Sequence, residues 1–228
     1  MRKIAKPEVR RRKSEVFKIS FNPLFINYLF MPVKLIKRNY FYKMRKTAFY
    51  GLIFLLILGC SNQSEIGKKL HCSKTIYKNT KKITDFNKNF ILSIPSNWKT
   101  ELYFDNYQSE IFTADTLKQL SETYILAASH NLGTLNFDKD FHHRKDSVLS
   151  ANNLKIIDSG NESFQSKPSF WYVSKGTKNN FDYHRFTVLT KLSENTYFSA
   201  YSEIYGNKNI DERICESISL LESIQFLE

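Results

Sequence analysis

The chain has 228 residues, 42% of them hydrophobic and 15% aromatic, with 34 Lys+Arg against 22 Asp+Glu and a formal net charge of +12. The excess is concentrated at one end: residues 1–43 hold 12 basic and 2 acidic residues, residues 44–59 add Arg45 and Lys46 and no acid, and 20 of each sign remain from Cys60 onward. A nucleic-acid interface needs basic residues clustered on the folded part, so the even balance argues against a nucleic-acid partner, and the five glycines after Cys60 leave no Gly-rich phosphate loop.

Residues 1–43 show no sustained helical or strand period and are read as an extension ahead of the true start at Met44; the alternative is a real basic N-terminal segment. The run MRKTAFYGLIFLLILGCSNQS, residues 44–64, has a short basic beginning, an apolar stretch and a small residue before a polar run, the pattern of a secretory signal. Its apolar stretch, residues 48–59, reaches about 18 Å as a helix, short of the roughly 30 Å hydrocarbon core of a bilayer. Ile57-Leu58-Gly59-Cys60 resembles the lipobox of bacterial lipoproteins, with Ile57 and Leu58 departing mildly from the usual pattern. The resemblance implies cleavage between Gly59 and Cys60 and a lipid on the Cys60 thiol. Each buried CH₂ then contributes about 0.8 kcal/mol, so two or three chains hold permanently. Ser61 and the absence of an acidic run after Cys60 point to the outer membrane, facing the periplasm. Cys72 and Cys215 remain; in a disulfide-permissive compartment they either pair or stay as two unpaired thiols, which geometry decides.

Residues 60–79 are polar without a clear period and are expected to be a tether. The folded domain is expected over residues 80–228. KITDFNKNFILSIPSNW predicts a hairpin turning at Asn87-Lys88, with Phe90, Leu92 and Ile94 on one face. TELYFD, SEIFTAD and ETYILAASH predict three further strands. A helix is predicted over residues 137–151, capped by Asn136 and burying Phe137, Phe141, Val148 and Leu149. Four strands follow, with turns at Gly160-Asn161, residues 176–180 and residues 193–195. A closing amphipathic helix starts after a cap at Asn209 and carries Ile210, Ile214, Ile218 and Leu221. Strands, one helix, four strands and one helix give an α+β class, an antiparallel sheet with packed helices.

FILSIPSNW, the helix opened by NFDKDF, the KPSFWY strand and the closing ICESISLLESIQF together resemble the PsbP/Mog-like family, in particular its bacterial lipoprotein members of unknown function. The resemblance spans about residues 80–228 and implies an α/β/α sandwich, mostly without known catalysis. Family members bind a small GTPase or assist photosystem assembly, and no motif here carries those roles across.

Site candidates are few. Asp138, His142, His143 and Asp146 lie on one predicted helix, but adjacent histidines point about 100° apart, and a solvated face describes them better than a metal site. No GxSxG elbow accompanies Ser159, Ser174 or Ser202. Phe170, Trp171 and Tyr172 are expected to be core on alternate sides of the sheet. The function expected is a lipid-anchored, non-catalytic binding or assembly module, without cofactor or metal, with the membrane and an unidentified protein as partners. The alternatives are an envelope hydrolase with a pocket built from Tyr183, His184 and Arg185, and a basic membrane-surface or nucleic-acid-binding protein resting on the +12.

Overall fold

A computed structural model describes residues 63–227; the signal-like run, Gly59 and Cys60 lie outside the described residues. Ten strands and three helices follow in the order α1 (Glu65–Lys69), β1 (Thr80–Thr84), β2 (Phe90–Pro95), β3 (Lys99–Phe104), β4 (Gln108–Ala114), β5 (Ile125–Leu132), α2 (Lys139–Ala151), β6 (Lys155–Gly160), β7 (Ser169–Lys178), β8 (Phe181–Lys191), β9 (Thr196–Tyr205), α3 (Ile210–Leu221) and β10 (Gln225–Phe226). They form a seven-stranded sheet ordered β3-β4-β5-β9-β8-β7-β6 and a three-stranded sheet ordered β1-β2-β10. Every pairing is antiparallel.

Alternation along the strands builds the core. One face of the large sheet presents Ile111, Leu126, Phe198, Val188, Phe186 and Trp171 to a cluster that also takes Phe90, Leu92 and Ile94 from β2 and Ile214, Ile218 and Leu221 from α3. Phe198 sits between the rings of Phe90, Phe164 and Phe226, with centroids 5.6, 6.1 and 5.3 Å away. The opposite face carries a smaller cluster in which Phe170 meets Leu135 and Phe141. Helices therefore lie on both faces of an antiparallel sheet.

The first hairpin turns through Lys88 at φ 60°, and the Asp85 carboxylate accepts from the backbone N–H groups of Asn89 and Phe90 at 2.6 and 2.8 Å. On α2 the cap is Asp138, whose side chain accepts from Phe141 N at 2.8 Å. Asn136, the expected cap, instead accepts from Lys191 Nζ at 3.3 Å. Starting the helix two residues later also moves its buried stripe. Val148 is 61% exposed, and the stripe runs through Phe141, the stem of Lys145 and Leu149, with Lys145 Nζ 5.5 Å from the Phe170 ring centre. The turn expected at residues 176–180 narrows to Asn179-Asn180, at φ 53° and 65°. Both angles suit the two-residue hairpin turn that follows strand twist. Gly176 lies inside β7, paired with Tyr183, at a position where a Cβ would stand 2.4 Å from the Asn153 carbonyl oxygen and only glycine fits.

The largest difference concerns residues 63–79, which pack onto the domain instead of forming a tether. Ser64 caps α1, accepting from Gly67 N at 3.0 Å, and its own N–H donates to Glu222 at 3.0 Å. Ile66 is 1% exposed and belongs to the main core. Thr75 N donates to Ser219 Oγ at 3.1 Å, and the Tyr77 hydroxyl meets Tyr124 Oη at 2.8 Å and Glu216 O at 3.1 Å. Cys72 is joined to Cys215 on α3, with Cα atoms 5.1 Å apart and a sequence separation of 143.

Asn209 precedes α3 as expected but lies at φ 50° and makes no side-chain cap bond. The buried Arg213 guanidinium ties this end of the helix down, donating to the carbonyls of Thr123, Tyr205 and Lys208 at 3.1, 2.9 and 2.6 Å.

Two stability outcomes follow. Phe198→Ala is expected to cost about 3–5 kcal/mol in urea unfolding, the usual range for emptying a buried phenylalanine site. Cys72→Ser is expected to cost about 2–5 kcal/mol, because a long loop is no longer closed in the unfolded chain; the wild-type protein in reductant should show the same loss.

Candidate functional site

Strand β8 decides where the chemistry-bearing side chains go. Phe186 and Val188 enter the main core, which fixes His184, two residues before Phe186, on that same face. Tyr183 and Arg185 point the other way. The three side chains of the hydrolase hypothesis are thus divided between the two faces of the sheet and do not converge. Successive strand residues cannot share a pocket on one face, and that reading is corrected accordingly.

His184 lines a cleft of about 600 Å³ with Leu70 after α1, Ile157 and Asp158 on β6, Val173 on β7, and Ile210, Asp211, Glu212, Ile214 and Cys215 on α3. The volume lies in the range of small-molecule clefts, about 300–1,000 Å³. Side chains of four elements and one disulfide cysteine make its walls. His184 is 4% exposed, and its Nδ1 is buried without a hydrogen-bond partner. Burial first, and then the Lys175 ammonium, push its pKa below the usual histidine value; Arg213 acts the same way, while Asp182 and Asp211 oppose them. The imidazole is therefore neutral at pH 7.

Tyr183 and Arg185 line a separate pocket of about 170 Å³ on the opposite face, beneath the end of α2. Here Glu203 gathers the polar groups. One carboxylate oxygen accepts from Lys178 Nζ and the Tyr183 hydroxyl, both at 2.9 Å, and the other from the Tyr205 hydroxyl at 3.0 Å. Burial would raise the Glu203 carboxyl, but these donors outweigh it and hold the pKa below its ordinary value. Burial, and then the Glu203 charge, push the Tyr183 phenol far up. Arg185 stacks on the Tyr201 ring with Cζ 3.9 Å from its centre. The Glu203 charge is thus spent on Lys178 and the two phenols, whereas Arg185 makes no ion pair among the described residues and keeps a buried Nε without a partner.

Most of the remaining sequence candidates have structural partners, whereas His143 and Ser159 are exposed. Asp138 caps α2, Asp146 accepts from Lys145 at 2.7 Å, and His142 packs edge-on to Phe141 and Phe170. Among the described residues no three His, Cys, Asp or Glu side chains are placed to hold a metal ion. Ser202 accepts from Ser217 at 2.9 Å inside the core, and Ser174 donates to Arg185 O at 3.4 Å. Trp171 is fully buried, its indole N–H donating to Glu162, and Phe170 is buried beneath α2 on the other face. The Cys215, Asp158 and Ile210 walls of the cleft carried no signal in sequence, because nothing local links them.

No protein-family model matches the chain, and no curated protein matches it. Among solved structures, the solution structure of cyanobacterial PsbP (CyanoP) from Synechocystis sp. PCC 6803 superposes with a TM-score of 0.51 at 10% identity, over 68% of this chain and 97% of that one. The fold is PsbP-like. A Bacteroides thetaiotaomicron protein gives a TM-score of 0.43 at 12% identity, over 66% of this chain and 50% of its own. A Pseudomonas aeruginosa protein of unknown function gives 0.34 at 8% identity, over 56% of this chain and 84% of its own. At such identities the PsbP-like likeness concerns the backbone alone.

The neutral His184 gives a pH prediction. A histidine whose folded pKa lies below the unfolded value of about 6.5 binds more protons when unfolded, so stability falls as pH drops through that value. His130 is lowered by burial in the same sense, whereas Glu110 and Glu216, raised by burial, act oppositely at lower pH. The difference between wild type and His184→Asn isolates the one group. Between pH 7.5 and 5.5 the melting temperature of wild type is expected to fall further than that of the variant, measured by thermal unfolding at each pH.

Proposed function

We propose that this chain is a lipid-anchored lipoprotein of the bacterial envelope whose PsbP-like domain is a non-catalytic binding or assembly module. The observation that carries the membrane half is the run Ile57-Leu58-Gly59-Cys60, three residues before Gln63, where the described domain starts. Three residues span at most about 11 Å. Since residues 63–79 pack onto the domain, a lipid on Cys60 would hold the domain close against the headgroups, without a twenty-residue spacer. The outer membrane, periplasmic side, remains the location that Ser61 favours. The binding half is supported by the cleft beside α3, which is walled by apolar and polar side chains and has no nucleophile–base pair within the residues that line it.

Mass spectrometry of protein extracted from membranes is expected to find an N-terminal, acylated Cys60 and no residue before it. A chain beginning at Met1 or Met44 and recovered without lipid contradicts the anchor. The Cys60→Ala variant is expected to remain unlipidated and to keep its signal. For the binding half, a photoreactive residue at Asn207, on the cleft wall, is expected to give a discrete adduct in cells, and diffuse background labelling alone contradicts it.

A further inference from the structure

The cleft contains two features that the fold does not use. The first is His184, nearly inaccessible and with Nδ1 left without a partner. Nδ1 is sealed off, but the ring's other nitrogen, Nε2, is not, and it makes no hydrogen bond among the described residues, so it is the atom that a ligand in the cleft can meet. The second is the charge around it. Asp158, Asp211 and Glu212 are all exposed on the cleft walls. None of them pairs with a cation within 4.0 Å among the described residues. The positive end of α3, worth about half a charge, is already answered by Asp211 and Glu212 in its first turn. Lys175 from the β7 side and the buried Arg213 add two positive charges around His184, and Asp182 adds a further negative one. The cleft is left net negative, with Val173, Ile210 and Ile214 as an apolar wall.

We propose that this cleft binds a small organic amine: its ammonium sits among Asp158, Asp211 and Glu212, its apolar body lies against Val173, Ile210 and Ile214, and a polar group reaches His184. The proposal rests on the reading of the domain as a binding module and names the ligand chemistry of that module. A carboxylate ligand meets the wrong field here, and a purely apolar one leaves both the carboxylates and the imidazole unanswered. An amine with an apolar spacer and a distal hydroxyl satisfies all three features.

The test uses the compact unit Ser61–Glu228, which contains both hydrophobic clusters. Tyramine is titrated at pH 7.5 and followed by amide NMR, beside 3-(4-hydroxyphenyl)propionate and 4-ethylphenol as acid and neutral counterparts. Tyramine is expected to shift the amides of His184, Ile210, Ile214 and Cys215, with the acid at least about tenfold weaker and the amine weakened by salt. Asp158→Asn and Asp211→Asn, both exposed and so compatible with the fold, are each expected to weaken tyramine about threefold. Unchanged shifts elsewhere in their spectra establish that the fold holds. Cleft binding of the acid as tight as that of the amine overturns the amine assignment while the binding-module reading stands. No cleft shifts with tyramine at about 10 mM overturns the assignment too, and the Asn207 adduct then judges the module reading separately.

Discussion

Ile66 enters the main core as a fully buried side chain, and six residues later Cys72 is bonded to Cys215 on α3. On either side of these two points Ser64, Thr75 and Tyr77 are hydrogen-bonded to Glu222, Ser219 and Glu216 on the same helix and its C-terminal cap. This closure of the N-terminal segment over α3 governs much of what the domain can do. It brings Leu70 to the cleft wall and places the disulfide in that wall. It also makes residues 63–79 part of the domain, so that the proposed anchor at Cys60 would have no long spacer within the described residues. A domain joined through a free twenty-residue coil would sample distances of some 25 Å from its attachment point; the packed segment removes most of that freedom.

The second constraint is alternation in β7, β8 and β9. Trp171, Val173, Phe186, Val188 and Phe198 must share one face because they make one core. The sheet then has no choice about the residues between them. His184 goes to the cleft face, and Tyr183, Arg185 and Glu203 go to the other, where Tyr183 donates to Glu203. A chemical grouping that looks contiguous in sequence is thereby split. One in which Asp158, His184 and Asp211 come together is assembled from three separate elements.

The legible and illegible parts of the sequence divide along the same line. Period-two runs such as Phe90-Leu92-Ile94 and the i,i+4 spacing of Ile210, Ile214 and Ile218 report local geometry, and those elements were readable. The cap of α2 was misplaced because Asn136 and Asp138 are both competent caps and only the tertiary contact of Lys191 with Asn136 separates them. The stripe of α2 departs from the expectation at Val148, which is exposed, while Lys145 lays its stem over Phe170 instead. Residues 63–79 looked like a tether because only Ile66, Leu70 and Tyr77 are large and well placed among polar neighbours. The hydrogen bonds of Ser64, Thr75 and Tyr77 to Glu222, Ser219 and Glu216 span 158, 144 and 139 positions in sequence. Long-range pairing of this kind leaves no periodic trace, and the same is true of the cleft.

Amide hydrogen exchange on residues 63–79 tests the closure most directly. Leu70 N donates to Ile66 O at 3.0 Å and Cys72 N to Gly67 O at 2.8 Å, and both lie beside the core. If the segment is part of the domain, these amides exchange slowly, with protection approaching that of β8 and β9, and lose it when the disulfide is reduced. Exchange at the rate of an unstructured chain in the oxidised protein would contradict the account, returning residues 63–79 to a tether and removing one wall of the cleft.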